Sequence, residues 1–566
     1  SKIAGAAGIA ILIFVALLFV FTRLEAYPRS ALPINLIVLV ALLAGPRILY
    51  RSFMERGLAG FFQRTSSEHR VPVLLLGAGD DAELFIRSSL TGSAANYRVV
   101  GLVDDDAAKT GRHIHGVRVY GPAHDLVAIL QTLKQRGTQP QRLILTSDSF
   151  ESDRLRKILD SADGLAMPFS RLPRMTDFRS GVVGDIDIRP VAIEDLLGRP
   201  QTALDNKEMA ALIHGRRVCI TGAGGSIGSE LCRQIAGHRP AHMTLIDNSE
   251  YNLYSIDMEL TGKFPDIPRD ILLGDVRDRC RLNTIFANAH PQLVFHAAAF
   301  KHVHMVETNP NEGVLTNVLG TRNVADACIA HGVAVMMLIS TDKAVNPSNV
   351  MGATKRIAES YCQALGLSLA EGDQAHTRLV TVRFGNVLAS SGSVVPLFQQ
   401  QIANGGPVTV TDPEVTRYFM TTREAVQLVL QASALGARGQ GGEIFVLDMG
   451  EPVKINDLAI QMIRLAGKKP ERDIKIVYTG LRSGEKLTEE LFHEKEPLTG
   501  TSVAGLQRAT SRPVDLARLK TQIDRLCNAA AAGDSEQAFA EIGAIVTEFQ
   551  GLAPGSNAKA TRRAIR

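Results

Sequence analysis

An acid and an amine stand side by side at Asp342-Lys343, with Thr341 before them and Met351 and Lys355 a short loop further on. A carboxyl next to an amine suits proton transfer, because each neighbour shifts the other's pKa. An isolated Asp-Lys pair is more often a plain ion pair, so the surrounding elements decide its meaning. The apolar run from Val333 to Ile339 predicts a buried strand. Residues leaving the carboxyl end of such a strand enter the ligand crevice of a doubly wound sheet. Lys355 falls on the helix expected next.

The elements that must position this stretch begin at Arg217-Val218-Cys219-Ile220, a short buried strand. It runs into Thr221-Gly222-Ala223-Gly224-Gly225-Ser226-Ile227-Gly228, which opens a helix. Glycines fit where backbone must turn sharply and lie close to a pyrophosphate, and the helix amino end favours its charge. Gly222, Gly225, Ser226, Ile227 and Gly228 are therefore the candidate cradle. Asp247, followed by Asn248, ends the next strand, where an acid takes ribose hydroxyls. Its charge would repel a 2′-phosphate, so NAD is expected over NADP. Asp275-Val276 follows a third strand and is placed to meet adenine. Leu293-Val294-Phe295 reads as a fourth strand, and Ala297 and Ala298 after it are small enough to let a cofactor lie flat. His302 and His304 have no evident third partner, so no metal is expected.

Upstream, Val71 to Leu76 and the pattern Gly77-Ala78-Gly79-Asp80-Asp81-Ala82 predict a second Rossmann-like unit. A strand from Tyr97 to Val103 ends in Asp104-Asp105-Asp106. Asp80 and Asp81 sit where a pyrophosphate wants no negative charge, so cofactor binding and a bare scaffold stand level here. Before this unit, residues 3–22 carry no charge and are long enough to cross a hydrocarbon core. Residues 31–44 are a shorter apolar run. A membrane hairpin is expected, with Arg47, Arg51 and Arg56 placing the remainder in the cytoplasm. The division expected is 1–50 transmembrane helices, 66–200 Rossmann-like, 205–500 catalytic with a small substrate lobe, and 501–566 a helical extension with a basic tail. The fold class is α/β, with two doubly wound parallel sheets. The net charge of +4 over 566 residues argues against nucleic acid, and six scattered cysteines argue against a disulfide framework or zinc.

Taken in order, TGAGGSIG, the DN after the second strand, GDVRD, HAAAFKHV, NVLGT, STDKAVNPSNVMGATK, RFGNVL and TGLRSGEKL resemble the extended short-chain dehydrogenase/reductases. More closely, they resemble the membrane-bound UDP-N-acetylglucosamine 4,6-dehydratases of bacterial polysaccharide synthesis. The resemblance spans about residues 1–500, and implies further membrane spans before Ser1 and a place at the bacterial inner membrane. It implies that Asp342 protonates the departing C6 hydroxyl, Lys343 removes the C5 proton, Thr341 meets the sugar near C4, and Lys355 holds the nicotinamide ribose. Lys301, Asn386, Arg482 and Glu485 match substrate-contacting positions; Arg417 is a further candidate for a phosphate. The expected partners are UDP-N-acetylglucosamine, membrane lipid and further copies of the chain.

Two positions depart from the wider superfamily. Met351 stands where a tyrosine is usual, and a thioether cannot take the C4 hydroxyl proton. The membrane-bound branch resembles this chain in having methionine there; Asp342, Lys343 or a water on Thr341 remain as bases. Ser483 replaces a proline in the RPGEK-like stretch. Two competing readings are a nucleotide-sugar 4-epimerase and a membrane-tethered nucleotide sensor without turnover.

Overall fold

A computed structural model of the chain describes residues 70–91, 97–146, 169–172, 189–190 and 206–551, except 372–376, 389, 391, 494–495, 511 and 513, together with positions 34, 38 and 42. The chain forms two compact units, residues 1–71 with 95–98, and 72–94 with 99–566. Most of the first lies outside the described residues, including the expected span at 3–22. In the second apolar run, Ile34, Val38 and Leu42 are helical and exposed. Among the described residues no helix is long and apolar enough to cross a membrane. The basic tail also lies outside them.

The first sheet contains β1 (Val71–Leu76), β2 (Tyr97–Val103), β3 (Arg142–Leu145), β4 (Phe169–Arg171) and β5 (Arg189–Pro190), in the order β2-β1-β3-β4-β5. The expected strands at 71–76 and 97–103 form at those limits. The turn after β1 uses Gly77 at φ 105°, and Ala78 N–H donates to Asp104 Oδ2 at 2.7 Å. Leu74, Leu76, Leu143 and Leu145 pack on Leu126, Leu130 and Leu133 of helix α1 (Leu126–Gln135).

The second sheet holds the stretch of interest. Its strands are β6 (Arg217–Thr221), β7 (His242–Asp247), β8 (Arg269–Leu273), β9 (Leu293–His296), β10 (Val335–Thr341), β11 (Arg378–Phe384), β12 (Glu443–Leu447), β13 (Leu498–Gly500) and β14 (Leu506–Ala509). The order is β8-β7-β6-β9-β10-β11-β12-β14-β13. The first seven run parallel, and β14 and β13 close the edge antiparallel. Central parallel strands are covered on both faces and so read as unbroken apolar runs. In β10, Met336 and Leu338 enter one core while Val335, Met337 and Ile339 enter the other, as the two-residue period of a strand requires. Sequential order reverses between β6 and β9, the place where a doubly wound sheet opens its crevice. Leu388, Phe398, Val410, Phe419, Leu458 and Ile463 form the separate core of a small lobe.

Two features correct the expected division. The boundary at 500 falls inside the sheet, since β14 at 506–509 pairs with β12. Nor are the last helices an appendage. Helices α2 (Leu516–Ala531) and α3 (Ser535–Ile545) send Leu519, Ile523, Leu526 and Ile542 into the same core as Met336 and Ile357.

Helix α4 (Val350–Ala370, which precedes these in the chain) is buried almost all round, polar residues included. Buried charges require partners. Arg383 on β11 grips Glu359 of this helix through two hydrogen bonds, at 2.8 and 2.6 Å, and Glu496 at 2.7 Å. Arg356 joins Glu496 at 2.7 Å and Glu359 at 3.3 Å. Arg512 meets Glu496 and Glu548, each at 3.0 Å. Strand, helix and carboxyl-terminal segment thus share one buried charge network. Replacing Glu359 by Ala should cost about 3–5 kcal/mol, the usual penalty for stranding one half of a buried pair. Urea unfolding measures it, with Glu414→Ala, which removes the exposed pair with Lys454, as the control whose midpoint should not move. Equal midpoints for the two variants would refute a structural role for the network.

Candidate active site

The glycine loop follows β6 and passes into the helix Ser226–Gly237. Gly222 has φ 69°, and a Cβ there would stand 2.6 Å from Ala298 N. A Cβ on Gly228 would fall on the Gly222 carbonyl oxygen. Positions 222 and 228 therefore tolerate no side chain, and Gly222, Gly224, Gly225, Ser226 and Ile227 stay half-buried. Asp247 is brought to the same place: its Oδ2 accepts from Gly224 N–H and its Oδ1 from Ser249 N–H, each at 2.9 Å. Asn248 beside it is exposed. Asp275 is engaged by Arg277, which donates from its backbone and from Nε, each at 2.9 Å. Burial pushes the Asp275 carboxyl up, but these bonds outweigh it and hold the group below its ordinary value. Val276 is buried and packs where Gly320 leaves room.

Across the crevice, β9 ends at His296, whose two ring nitrogens pair with the hydroxyls of Thr221 at 2.7 Å and Thr321 at 3.0 Å. Burial, with the nearby Lys355 charge, pushes this imidazole down to about 3, so it stays neutral. Ala297 and Ala298 follow, partly exposed. Asn317, in a π-helical turn at Leu315–Leu319, binds the Phe300 backbone through N–H at 2.8 Å and C=O at 3.0 Å. Its amide also donates to Thr354 Oγ1 at 3.0 Å. One buried side chain thus clips the loop before Lys301 onto α4. Lys301 itself is exposed.

β10 ends at Thr341, and the chain turns through Asp342–Ala344 into α4. Asn349 caps that helix, accepting from Gly352 N–H at 2.7 Å, and a Cβ on Gly352 would strike the Lys343 carbonyl. The acid-amine pair is pressed against the helix start. Asp342 Oδ1 accepts from Thr341 Oγ1 at 2.8 Å and from Lys343 Nζ at 3.0 Å. Lys343 Nζ also donates to Asn386 Oδ1 at 3.2 Å. The Asp342 side chain is wholly buried, yet its Oδ2 has no hydrogen-bond partner and faces Gly385. Burial alone would push Lys343 down, but Asp342 and Glu489 outweigh it and raise its pKa.

Met351 is buried in the core beneath this turn. Lys355 Nζ donates to Ile339 C=O at 2.6 Å, and burial pushes it down to about 8. Gly484 C=O accepts from Ser348 Oγ and Asn349 Nδ2, each at 3.0 Å, docking the 479–490 loop onto the helix start. Within that loop Glu485 accepts from the Arg482 backbone at 3.1 Å, and the Arg482 side chain is exposed. Arg417 donates to Thr416 C=O at 2.6 Å and Leu487 C=O at 3.0 Å, so part of its guanidinium is committed to backbone.

The structure thus gathers Thr341, Asp342, Lys343 and Asn386 around one amine, and Gly222 to Gly228 with Asp247 around one loop. Arg482 and Lys301 lie at the surface. Sequence reasoning missed Glu489, buried 3.6 Å from Lys343 Nζ. In Lys486-Leu487-Thr488-Glu489-Glu490 it reads as one more solvated charge, and only the docking of the loop reveals it.

The model of the polysaccharide biosynthesis protein family matches residues 218–510. The chain belongs to that family. Its members are short-chain dehydrogenase/reductase-like enzymes of nucleotide-sugar chemistry. "Capsular polysaccharide biosynthesis protein CapD" of Staphylococcus aureus is 41% identical over 80% of this chain and 73% of its own. An inverting UDP-N-acetylglucosamine 4,6-dehydratase of Campylobacter jejuni is 35% identical over 49% of this chain and 78% of its own. A dTDP-glucose 4,6-dehydratase of Streptomyces venezuelae, solved with NAD and TYD bound, is 20% identical over 49% of this chain and 88% of its own, with a TM-score of 0.41.

Lys355 has a consequence for stability. Between about pH 8 and 10.5 an unfolded lysine still binds a proton that the folded one has lost. Stability must then rise with pH across that window, by up to about 1.4 kcal/mol per pH unit from this group. Lys355→Met should flatten that rise relative to the parent in urea titrations at pH 8, 9 and 10; an unchanged slope would refute the depressed amine.

Proposed function

We propose that this enzyme removes water across C5 and C6 of UDP-N-acetylglucosamine, giving UDP-2-acetamido-2,6-dideoxy-4-keto-hexose, with NAD as a resident cofactor. The observation that carries the reading is the Thr341-Asp342-Lys343 group, in which the Asp342 carboxyl is buried and one of its oxygens is unpartnered. A 4-epimerase has no need of such a pair. The residues fit NAD: a loop in which Gly222, Gly224 and Gly228 have no room for a Cβ, and an acid at the end of the second strand. When bound, NAD supplies the oxidation at C4 and returns the same hydride at C6.

The chain's own residues move the protons. Thr341 Oγ1, at the mouth of the crevice, hydrogen-bonds the sugar near C4. Met351 cannot take the C4 hydroxyl proton, so Asp342 takes it as a carboxylate and becomes the acid for the next step. The 4-ketone makes C5–H acidic. Lys343, as the neutral amine, removes that proton, and the C–H electron pair forms the enolate. The enolate expels the C6 hydroxyl, which Asp342 protonates to water. Lys343, now an ammonium, gives a proton back to C5 when C6 is reduced. Both groups end as they began. The membrane-bound branch that the sequence resembles implies retention at C5, whereas the Campylobacter relative is named as inverting.

Mass spectrometry of UDP-N-acetylglucosamine incubated with the full chain, detergent and NAD should show a product lighter by one water, and NMR then reads C5. Unchanged mass with altered chromatography would indicate the epimerase, and no change with NAD bound would indicate the sensor. Lys343→Ala should lower turnover by about 10²–10⁴-fold, the usual contribution of a general base, with NAD retained.

We also propose attachment to the bacterial inner membrane through residues 3–22 and 31–44, with the catalytic unit in the cytoplasm. The full chain should stay in the membrane pellet after alkaline carbonate washing, and a chain lacking 1–50 should not. Release of both would overturn the attachment.

A further inference from the structure

Lys343 carries more negative charge around it than the reaction above uses. Asp342 Oδ1 lies 3.0 Å from Nζ on one side, and Asn386 Oδ1 lies at 3.2 Å. Glu489 Oε1 lies on another side at 3.6 Å, and the same oxygen is 3.9 Å from Arg417 Nε. Glu489 is buried, 5% exposed, and it reaches both cations at ion-pair distance rather than by a short hydrogen bond. The result is an alternating row, Asp342, Lys343, Glu489, Arg417, in which one amine stands between two carboxylates. A buried carboxylate costs several kcal/mol in desolvation unless cations repay it. This one is held by two, Lys343 and Arg417.

We propose that Glu489, lying across the amine from Asp342, is a positioning residue that orients Lys343 and sets its readiness to exchange a proton. The catalytic side of this inference rests on the dehydratase reading. The charge geometry does not. Lys343 must lose a proton before it takes one from C5, and must hold it again before returning it. A second carboxylate favours the ammonium, fixes it toward the crevice, and moves the balance between the two forms toward higher pH. Arg417 acts in the opposite sense, its positive charge disfavouring the Lys343 ammonium. Asp342, Glu489 and Arg417 are the charged groups that face this amine.

The test reads Lys343 directly. The full chain in detergent is pulsed with acetic anhydride across a pH series, and acetylation of Lys343 is followed by peptide mass spectrometry against exposed Lys263 as the internal reference. Removing an opposite charge at this range shifts an ionisation by about one pH unit or more. Glu489→Gln should therefore move the Lys343 midpoint down by about one pH unit, a tenfold change in its ionisation constant. Glu489→Asp should restore most of the parental value, and Glu490→Gln, which alters the neighbouring charge paired with Lys486, should leave it in place. Arg417→Gln should move the midpoint up, which gives a variant of opposite sign should Glu489→Gln fail to fold. An unmoved midpoint in Glu489→Gln, or an unmoved or lowered one in Arg417→Gln, would overturn the proposal. With UDP-N-acetylglucosamine, the rising limb of kcat against pH should shift with the labelling midpoint. If the parent chain forms no dehydrated product while the labelling shifts are seen, the dehydratase reading fails and the role of Glu489 stands.

Discussion

The geometry at the head of β10 depends on a charge network that lies behind it. Three arginines and three glutamates, Arg356, Arg383, Arg512, Glu359, Glu496 and Glu548, meet where α4, β11 and the carboxyl-terminal segment join. Arg383 is 1% exposed and Glu359 not at all, so neither charge is tolerable alone. The network matters to the site because of where its members sit. Arg356 and Glu359 follow Lys355 on one helix, and Arg383 lies two residues before Gly385, the residue that faces Asp342. Register between helix and strand is fixed by paired charges that cannot be satisfied in any shifted arrangement. That is specificity gained at a cost in desolvation.

The two lysines show how one residue type is driven in opposite directions. Lys355 is buried in α4 with a backbone carbonyl as its hydrogen-bond partner, and desolvation wins: its amine is pushed down to about 8. Lys343 is also largely buried, but two carboxylates outweigh desolvation and raise it. The difference lies in the neighbours, not in depth. Burial thus moves one amine toward its neutral form and two carboxylates move the other toward its charged form, so the two lysines differ in protonic character.

The two Rossmann-like units make a useful contrast. In both, the acid ending the second strand accepts a backbone N–H from the glycine loop, Ala78 to Asp104 and Gly224 to Asp247. In the first, Lys109 pairs with that acid at 3.2 Å, and Asp80, Asp81 and Glu83 occupy the first turn of the following helix. In the second, that turn carries no acid. The same backbone device is therefore electrostatically prepared for an anion in one unit and set against it in the other.

Local and periodic features were legible in the sequence. Strands β1 and β2 form at their expected limits because apolar runs bounded by glycine and acid leave little choice. The glycine loop, Asp247 and the Thr341-Asp342-Lys343 group were readable because each is contiguous or lies at a spacing that the strand-turn-helix unit dictates. What depended on distant segments was not readable. Glu489 looks like its solvated neighbours until Gly484 docks on Asn349 and turns it inward. Arg383 and Glu359 reveal nothing until Glu496 closes the network, and β14 joins the sheet only by pairing with β12 across 59 to 65 residues of chain. Sequence determined which residues could do proton chemistry and which backbone could hold a dinucleotide, because those are properties of residue type and short spacing. Tertiary structure alone decided which charges surround each lysine, because Coulomb interaction and desolvation depend on distance in space and not on separation along the chain.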